Sequence, residues 1–306
     1  MRLPIIRFVS VANPFRSLAA CASISPRLRR LYAWAKFLPG IGPIARGAAT
    51  RLLPHGSRVW LQPSAGLARG LWLNVDPRYD PDYVSGTSES AIQVVLSKCL
   101  NEGHTFYDVG AHAGFLSLIA ARLVGKTGAV FAFEPDPVNA TRIEQQTLRN
   151  GLGQITVFPV AVWSTCGVVH FQHNSDFSGR YSGFVTEECP GRRTCEVEAV
   201  TLDVFAQTHA APTLVKIDVE GGEAEVLRGA TRLFADAHPV VICEIHKRET
   251  APSVETFFVG QGYKVRWLPS EFGERHILAE PLSRATQEST PEDLQHHMAG
   301  LANSRA

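Results

Sequence analysis

From residue 89 onward the chain alternates short apolar runs, rich in β-branched and aromatic residues, with segments of helical periodicity. Apolar runs without polar alternation are typical of strands buried on both faces. The alternation predicts an α/β fold, with a doubly wound, mostly parallel sheet covered by helices on both faces. Ligands of such sheets bind at the carboxyl ends of the strands, so the residues that follow each strand are the first candidates for a functional site.

The predicted elements follow one another regularly. The predicted strands are His104–Val109, Ala129–Phe133, Ile155–Val160, Leu214–Ile217, Val240–Ile245, Lys264–Leu268 and His276–Ala279. The predicted helices are Glu89–Leu100, Gly114–Val124, Pro137–Asn150, Gly222–Phe234 and Pro252–Gly260. Val168–Phe171 and Cys195–Val200 predict an excursion of antiparallel strands around a polar loop, Gln172–Arg193. Because long loops at strand tips commonly determine specificity, we interpret this loop as a substrate lid.

The charge of the chain is unevenly distributed. There are 30 Lys and Arg residues against 29 Asp and Glu residues, a formal net charge of +1. Eleven of the cations precede the first acid, Asp76, which leaves 19 cations against 29 acids, or −10, for the rest. We therefore predict a basic N-terminal extension at residues 1–75, an acidic domain at 76–280 and a mobile polar tail at 281–306.

The basic extension contains a predicted amphipathic helix at residues 27–38. Such a segment suits an organellar transit peptide, a helix on an anionic lipid surface, or a solvated extension. No apolar run is long enough to predict a membrane-spanning helix, so we expect a cytoplasmic protein whose membrane contact, if any, is peripheral and made by this arm. Nucleic acid is not expected as a partner, because the body is acidic.

A turn bracketed by glycines, Gly110-Ala111-His112-Ala113-Gly114, follows the first predicted strand of the body. Gly110 and Gly114 permit a tight connection and bring backbone N–H groups at a helix N-terminus close to a ligand. The spacing differs from Gly-x-Gly-x-x-Gly, because His112 stands where a dinucleotide pyrophosphate needs the middle glycine. Taken alone, the turn is also compatible with a purely structural connection.

The second strand ends in two carboxylates, Glu134 and Asp136. Asp136 is well placed to cap the following helix, with Pro137 at the first helical position. Glu134, 24 residues after Gly110, has no capping role and is positioned to accept the hydroxyls of a ribose. A ribose at this position fits either a nicotinamide dinucleotide or S-adenosylmethionine.

Five segments carry a family resemblance: Phe106–Ser117, Phe133–Pro135, Thr201–Asp203, Val215–Glu223 and Val226–Ala230. Together and in this order they resemble the FkbM family of S-adenosylmethionine-dependent methyltransferases, over about residues 83–260. The resemblance implies a class I methyltransferase sheet of seven strands, the last of them antiparallel. It also implies that S-adenosyl-L-methionine binds across the tips of the first, second and fourth strands.

The resemblance further implies a set of cofactor-binding residues. These are Glu89, Asp108, Gly110, Gly114, Glu134 and Asp218. Asp108 and the two glycines would line the methionine and sugar side, Glu134 would accept the ribose hydroxyls, and Asp218 would lie on the methyl-transfer side. Glu89 follows Ser88 at a position where the family commonly has a Tyr-Glu pair.

Methyl transfer to a hydroxyl is an in-line displacement, so the acceptor must be aligned and its proton must pass to a base. Asp218 and Glu220, after the fourth strand, point to the same side of an extended backbone. Glu244 and His246 share a face at the end of the fifth strand. We predict Asp218, Glu220 and His246 as catalytic residues, with His246 as the general base.

These assignments have alternatives. Glu220 could equally cap the next helix, and a histidine at a strand end could be solvated. Glu220, Glu244 and His246 could also ligate a divalent metal, but they lack the paired Asp-Asp-Asn arrangement of metal-dependent O-methyltransferases. We therefore expect no metal.

The motifs together predict a methyltransferase that modifies a hydroxyl of a small-molecule or glycan acceptor. An NAD-dependent oxidoreductase is the second interpretation, disfavoured by the missing pyrophosphate glycine. The third is a non-catalytic protein of the same fold that is recruited by its basic arm.

Overall fold

The computed structural model describes residues 58–76, 81–174, 182–186, 194–269 and 275–282. The chain divides into two compact units, residues 1–60 and 61–306. Only residues 58–60 of the first unit are described, so the fold given below is that of the second. The basic helix at residues 27–38 and the tail beyond residue 282 lie outside the described residues, and the predicted three-part division of the chain stays a prediction.

Strands and helices alternate through most of the second unit. In chain order, the strands are β1 Val59–Leu61, β2 Leu73–Val75, β3 Thr105–Val109, β4 Ala129–Phe133, β5 Ile155–Phe158, β6 Ala161–Val162, β7 Gly167–Asn174, β8 Ser182–Thr186, β9 Thr194–Val200, β10 Leu214–Ile217, β11 Val240–Glu244, β12 Tyr263–Trp267 and β13 His276–Pro281. The α-helices are α1 Pro81–Ser85, α2 Ser90–Cys99, α3 Phe115–Val124, α4 Pro137–Asn150, α5 Leu202–Phe205, α6 Glu223–Arg228, α7 Thr231–Ala237 and α8 Ala251–Gly260. Within the described ranges, none of these helices has the length and apolar character needed to cross a membrane.

Seven strands form the central sheet, in the order β12-β13-β11-β10-β3-β4-β5. The five strands from β11 to β5 are mutually parallel. β13 runs antiparallel to both of its neighbours, β11 and β12. This arrangement confirms the predicted fold class, a mostly parallel α/β sheet of seven strands in which the last strand of the chain is antiparallel.

Apolar side chains cover both faces of the sheet. Phe106 and Ile119 belong to the core on one face, whereas Tyr107 and Phe234 belong to the core on the other. Phe106 and Tyr107 are neighbours on β3 and point to opposite faces, as the two-residue period of a strand requires. All four side chains are fully buried, and burial of each such side chain stabilises the fold by roughly 1.5–3 kcal/mol.

Residues before Asp76 also contribute to this unit. Leu73 and Val75 of β2 are buried in the same core as α3. The Trp72 N–H donates to Asn150 Oδ1 over 2.7 Å, and the Asn74 N–H donates to a side chain of the same helix, α4. Residues 72–75 are therefore fastened to α4 and share its side of the second unit's core.

Two elements differ from the predictions. The predicted helix Gly222–Phe234 is divided into α6 and α7 at Gly229, where the backbone lies so close to the Trp163 carbonyl oxygen that a Cβ would overlap it. The excursion after β5 is a separate four-stranded sheet, β6-β9-β7-β8. Its strand β8 occupies part of the predicted loop Gln172–Arg193, and Gly183 allows the backbone to lie directly on the Phe171 ring. Both glycines lie in close contacts with residues distant along the chain, which the local sequence pattern does not contain.

Candidate active site

The sequence-predicted site residues other than Glu89 lie at or just after the carboxyl ends of four adjacent strands. Glu134 follows β4, Gly110 follows β3, Asp218 follows β10, and Glu244 ends β11. From β3 the chain proceeds outward to β4 and β5, whereas β10 and β11 extend the sheet on the other side of β3. The strand order therefore reverses between β3 and β10, which is where doubly wound sheets bind their ligands.

The connection from β3 to α3 is a tight turn that requires both of its glycines. Gly110 has φ +77° and Gly114 has φ +75°, a left-handed conformation that disfavours other residues. A Cβ at Gly110 would overlap the carbonyl oxygen of Asp218, and one at Gly114 would lie 2.8 Å from Ile143 Cγ1. Gly110 thus allows the turn after β3 to contact the end of β10 directly.

The Glu134 carboxylate is held by the backbone of two turns. Oε2 accepts a hydrogen bond from the His112 N–H over 2.6 Å, and Oε1 accepts one from the Asp136 N–H over 2.9 Å. Burial raises the pKa of Glu134 to about 8, although both N–H donors favour its ionised form. Asp136 caps α4 through a 2.7 Å bond from the Val138 N–H, so its predicted capping role is confirmed.

A buried lysine that the sequence analysis did not assign links the two sides of the site. Lys216 Nζ donates to the Gly110 carbonyl oxygen and to Asp218 Oδ2, each over 2.9 Å, and lies 3.7 Å from Asp108 Oδ1. Burial lowers the pKa of Lys216, but the carboxylates of Asp218, Asp108 and Glu89 outweigh burial and raise it. Lys216 is therefore an ammonium ion. A lone lysine in the apolar strand Leu214–Ile217 was the sequence signal for this role.

Asp108 faces inward at the end of β3. Its Oδ2 accepts a hydrogen bond from Ser117 Oγ over 2.5 Å, and only 1% of the residue is exposed. Burial raises the pKa of this carboxyl group. Asp108 therefore lies beneath the glycine turn, between α3 and Lys216.

The remaining site residues form what we call the acid–histidine cluster: Asp218, Glu220, Glu223, Glu244 and His246. His246 Nε2 lies 3.5 Å from Asp218 Oδ1, 3.5 Å from Glu220 Oε2 and 3.6 Å from Glu244 Oε1. His246 Nδ1 lies 2.7 Å from Glu223 Oε1. The structure thus brings together all four residues that strand parity predicted after β10 and β11, and adds Glu223.

The electrostatics of the cluster bear on the predicted general base. Burial lowers the pKa of His246, but the hydrogen bond to Glu223 and the carboxylates around Nε2 outweigh burial and raise it to about 9. At neutral pH the ring is an imidazolium, which has no lone pair to accept a proton. The predicted role of His246 as a base therefore requires that Nε2 first lose its proton.

Glu89 and His276 complete the surroundings of the cluster. Glu89 precedes α2, and its Oε2 is withdrawn from solvent with no hydrogen-bond partner among the described residues. Burial raises the pKa of Glu89 to about 7. His276 Nε2 lies 3.2 Å from Glu244 Oε2. Residue spacing indicated no role for Glu223 or His276, because an acid in the first turn of a helix and a histidine at a strand start are ordinary.

Backbone strain is concentrated at this site. Glu89, His112 and Glu220 have φ values of 52°, 49° and 54°. The left-handed conformation costs a residue with a Cβ roughly 1–2 kcal/mol. Such strain tends to persist at functional sites, where the surrounding structure determines it.

Comparisons with known proteins place these observations in context. The family model described as "Methyltransferase FkbM domain" matches residues 108–265. The hexuronic acid methyltransferase AglP of Haloferax volcanii is 27% identical over 160 residues, which cover 52% of this chain and 62% of that protein. The chain thus spans less than two thirds of that relative's length.

Solved structures give similar matches. The methyltransferase FkbM of Methylobacillus flagellatus is 15% identical, with a TM-score of 0.43, and the match covers 66% of this chain and 58% of that one. An S-adenosylmethionine-dependent O-methyltransferase of Thermotoga maritima is 12% identical, with a TM-score of 0.41 and coverages of 76% and 79%. The family match confirms the predicted resemblance and favours methyl transfer over the oxidoreductase interpretation. S-adenosylmethionine is the cofactor that this family implies.

Proposed function

Since the chain belongs to the FkbM methyltransferase family, we propose that it transfers a methyl group from S-adenosylmethionine to a hydroxyl of a sugar, such as a hexuronic acid or a related glycan. One observation carries this proposal. The ribose-type carboxylate Glu134 and the acid–histidine cluster flank a single turn, in which Gly110 contacts Asp218. A cofactor that spans the turn would have its sugar near one side and its reactive end near the other.

The residues of the turn fit this cofactor. Each oxygen of Glu134 accepts one backbone N–H, and a carboxylate offers about four acceptor positions in all. Lone pairs therefore remain for the two hydroxyls of a ribose. The absence of a side chain at Gly110 and Gly114 leaves the backbone of the turn open to close approach.

The acid–histidine cluster fits the charge of the cofactor. Bound S-adenosylmethionine supplies an electrophilic methyl group on a positively charged sulfur. The four carboxylates of the acid–histidine cluster outnumber the two cations beside them, Lys216 and His246. This excess of negative charge would attract the sulfonium and the ammonium group at close range.

Methyl transfer to a hydroxyl also requires a base that takes up the hydroxyl proton of the acceptor. Among the described residues Glu89 has a carboxylate oxygen without a hydrogen-bond partner, and its pKa of about 7 suits a base at neutral pH. We assign Glu89 as the base, with His246 as the alternative once it is deprotonated. Glu89→Gln and His246→Gln distinguish them, because loss of the base lowers kcat far more than it weakens cofactor binding.

The sugar acceptor is proposed from the AglP relative, whose name gives a hexuronic acid as its substrate. The purified chain should methylate a hexuronic acid or a glycan that contains one, with S-adenosylmethionine as the donor. We expect a methyl ether, which survives mild alkali, whereas a methyl ester on the acceptor carboxylate would be hydrolysed. Mass spectrometry of the product before and after alkali treatment shows whether the added methyl group is retained, as in an ether, or lost, as in an ester.

Cofactor binding is tested separately by calorimetry with S-adenosylhomocysteine. We expect micromolar binding that is lost in Glu134→Ala, because the ribose hydroxyls lose their acceptor. Glu144→Ala, an exposed glutamate on α4, is the matched control and should bind as the wild type does. Binding of a nicotinamide dinucleotide in place of S-adenosylhomocysteine would reject the proposal.

A further inference from the structure

Three side chains at the ends of β10 and β11 direct one ligand atom each to a common point. Asp218, Glu244 and His246 place a carboxylate oxygen or a ring nitrogen within 4.8 Å of one another. The Nε2 atom of His246 is 3.5 Å from the Asp218 oxygen and 3.6 Å from the Glu244 oxygen. These separations are longer than the 2.7–2.9 Å of a charge-assisted hydrogen bond. They approach the spacing of about 3.0–3.4 Å expected between ligand atoms that each lie about 2.1 Å from one metal ion.

Each of these three side chains is held from behind by its own partner. Lys216 Nζ binds the other oxygen of Asp218 over 2.9 Å, and His276 Nε2 lies 3.2 Å from the other oxygen of Glu244. The opposite ring nitrogen of His246 lies 2.7 Å from Glu223 Oε1. A carboxylate behind a histidine in this way fixes the tautomer that presents Nε2 to a metal.

A second observation points to a cation. Glu223 is completely buried, faces the His246 ring, and has its Oε2 without a hydrogen-bond partner among the described residues. Glu89 Oε2, on a separate loop, is likewise withdrawn from solvent and without such a partner. Buried carboxylate oxygens without partners are costly, and a divalent cation bound beside His246 would offset the negative charge of both carboxylates.

We propose that Asp218 Oδ1, Glu244 Oε1 and His246 Nε2 bind a divalent cation, with Glu220 as a fourth ligand. Glu220 Oε2 lies 3.5 Å from the same nitrogen and is 43% exposed, at the mouth of the cluster. One imidazole with carboxylates suits ions such as Mn²⁺. On binding, the Nε2 proton leaves to solvent and the nitrogen lone pair takes its place on the ion, while Nδ1 keeps its proton toward Glu223.

This site departs from the expectation of no metal, which rested on the spacing of residues along the chain. Its use in the reaction rests on the proposed function: a cation here would hold the acceptor hydroxyl, favour its ionised form, and let an anionic sugar acid approach an acidic surface. The binding of the cation itself depends on neither cofactor nor acceptor, so it can be tested without them.

The test is titration of the full chain with Mn²⁺ alone, followed by calorimetry and by the electron paramagnetic resonance signal of free Mn²⁺. We expect one bound Mn²⁺ per chain. Glu244→Gln and His246→Gln should each weaken binding by at least about tenfold. Glu249→Gln, an exposed acid a few residues further on, is the matched control and should bind as the wild type does.

Wild-type chain that fails to bind Mn²⁺, or Glu244→Gln and His246→Gln variants that bind as tightly as Glu249→Gln, would overturn the site. Circular dichroism and S-adenosylhomocysteine binding verify that each variant is folded. Specific Mn²⁺ binding without any methyl transfer would support the site and count against the proposed function. Methyl transfer by a chain that binds no Mn²⁺ would support the proposed function and overturn the cation site.

Discussion

The two sides of the candidate site are constructed differently. On the Glu134 side, the carboxylate is held by backbone N–H groups of His112 and Asp136. In the acid–histidine cluster the contacts are between side chains, because carboxylates from three segments of the chain surround the His246 ring. Neutralising a carboxylate that is held by backbone N–H groups weakens its hydrogen bonds, whereas removing one member of a buried ion pair leaves the other charge unpaired. The predictions below test this difference.

Lys216 connects the two sides, and its loss should have the largest effect. In Lys216→Met the buried Asp108 carboxylate would lose its cation, and Asp218 would lose the nearer of its two cations, keeping His246. Breaking a buried ion pair by removing one partner typically costs about 3–5 kcal/mol. Urea denaturation should show a loss of this size. Lys264→Met, at an exposed position on β12, should change the free energy of unfolding by no more than about 0.5 kcal/mol, and equal losses in both variants would contradict the role of Lys216.

Gly110→Ala should have the next largest effect. The added Cβ would overlap the Asp218 carbonyl oxygen, and φ of +77° is unfavourable for alanine. We expect a loss of about 2–3 kcal/mol, measured by urea denaturation. Gly153→Ala is the control, because a Cβ at Gly153 meets nothing within 4 Å. A similar, small change in the free energy of unfolding of both variants would show that the turn at Gly110 does not pack closely against Asp218.

The pH dependence of cofactor binding should report on Glu134. Its pKa in the free protein is about 8, and ribose hydroxyls donate to the ionised carboxylate, so protonation opposes binding. The affinity for S-adenosylhomocysteine should therefore fall as the pH decreases below about 8, by up to about tenfold per pH unit. Calorimetry between pH 6 and 9 measures this slope. Glu134→Gln has no titrating group at this position and should show a flatter profile; an unchanged slope would assign the dependence to another group.

Asp136 should show the smallest effect, because its oxygen accepts from backbone N–H groups of α4. Asparagine caps a helix about as well as aspartate, so Asp136→Asn should cost no more than about 0.5 kcal/mol, whereas Asp136→Ala should cost about 1 kcal/mol. Thermal denaturation compares them. A large cost for Asp136→Asn would mean that charge matters on this side as well.

The same difference explains which parts of the molecule were predictable. Strand β4 and helix α4 have the predicted bounds, because an apolar run, a capping aspartate, a proline and the closing glycine Gly151 lie consecutively in the sequence. The turn at Gly110 and the position of Glu134 were predictable for the same reason. Each of these features depends on neighbours along the chain, which a sequence states directly.

The acid–histidine cluster was predictable only in part. Strand parity placed Asp218 with Glu220, and Glu244 with His246, on common faces. The partners Lys216 and Glu223 and the protonation of His246 depend on distances between different strands and helices, which residue spacing does not contain. Residue spacing offered Glu220, Glu244 and His246 as metal ligands, but it did not indicate that Asp218 approaches the last two.

The contact between Gly110 and Asp218 has a consequence for the redesign of this protein. Asp218 belongs to the cluster, while its carbonyl oxygen rests against the turn that would carry the cofactor. A change of backbone at Asp218 that is made to admit a new acceptor would thus displace the cofactor as well. Residues that lack this contact and stand outside the acid–histidine cluster are better starting points for altered specificity.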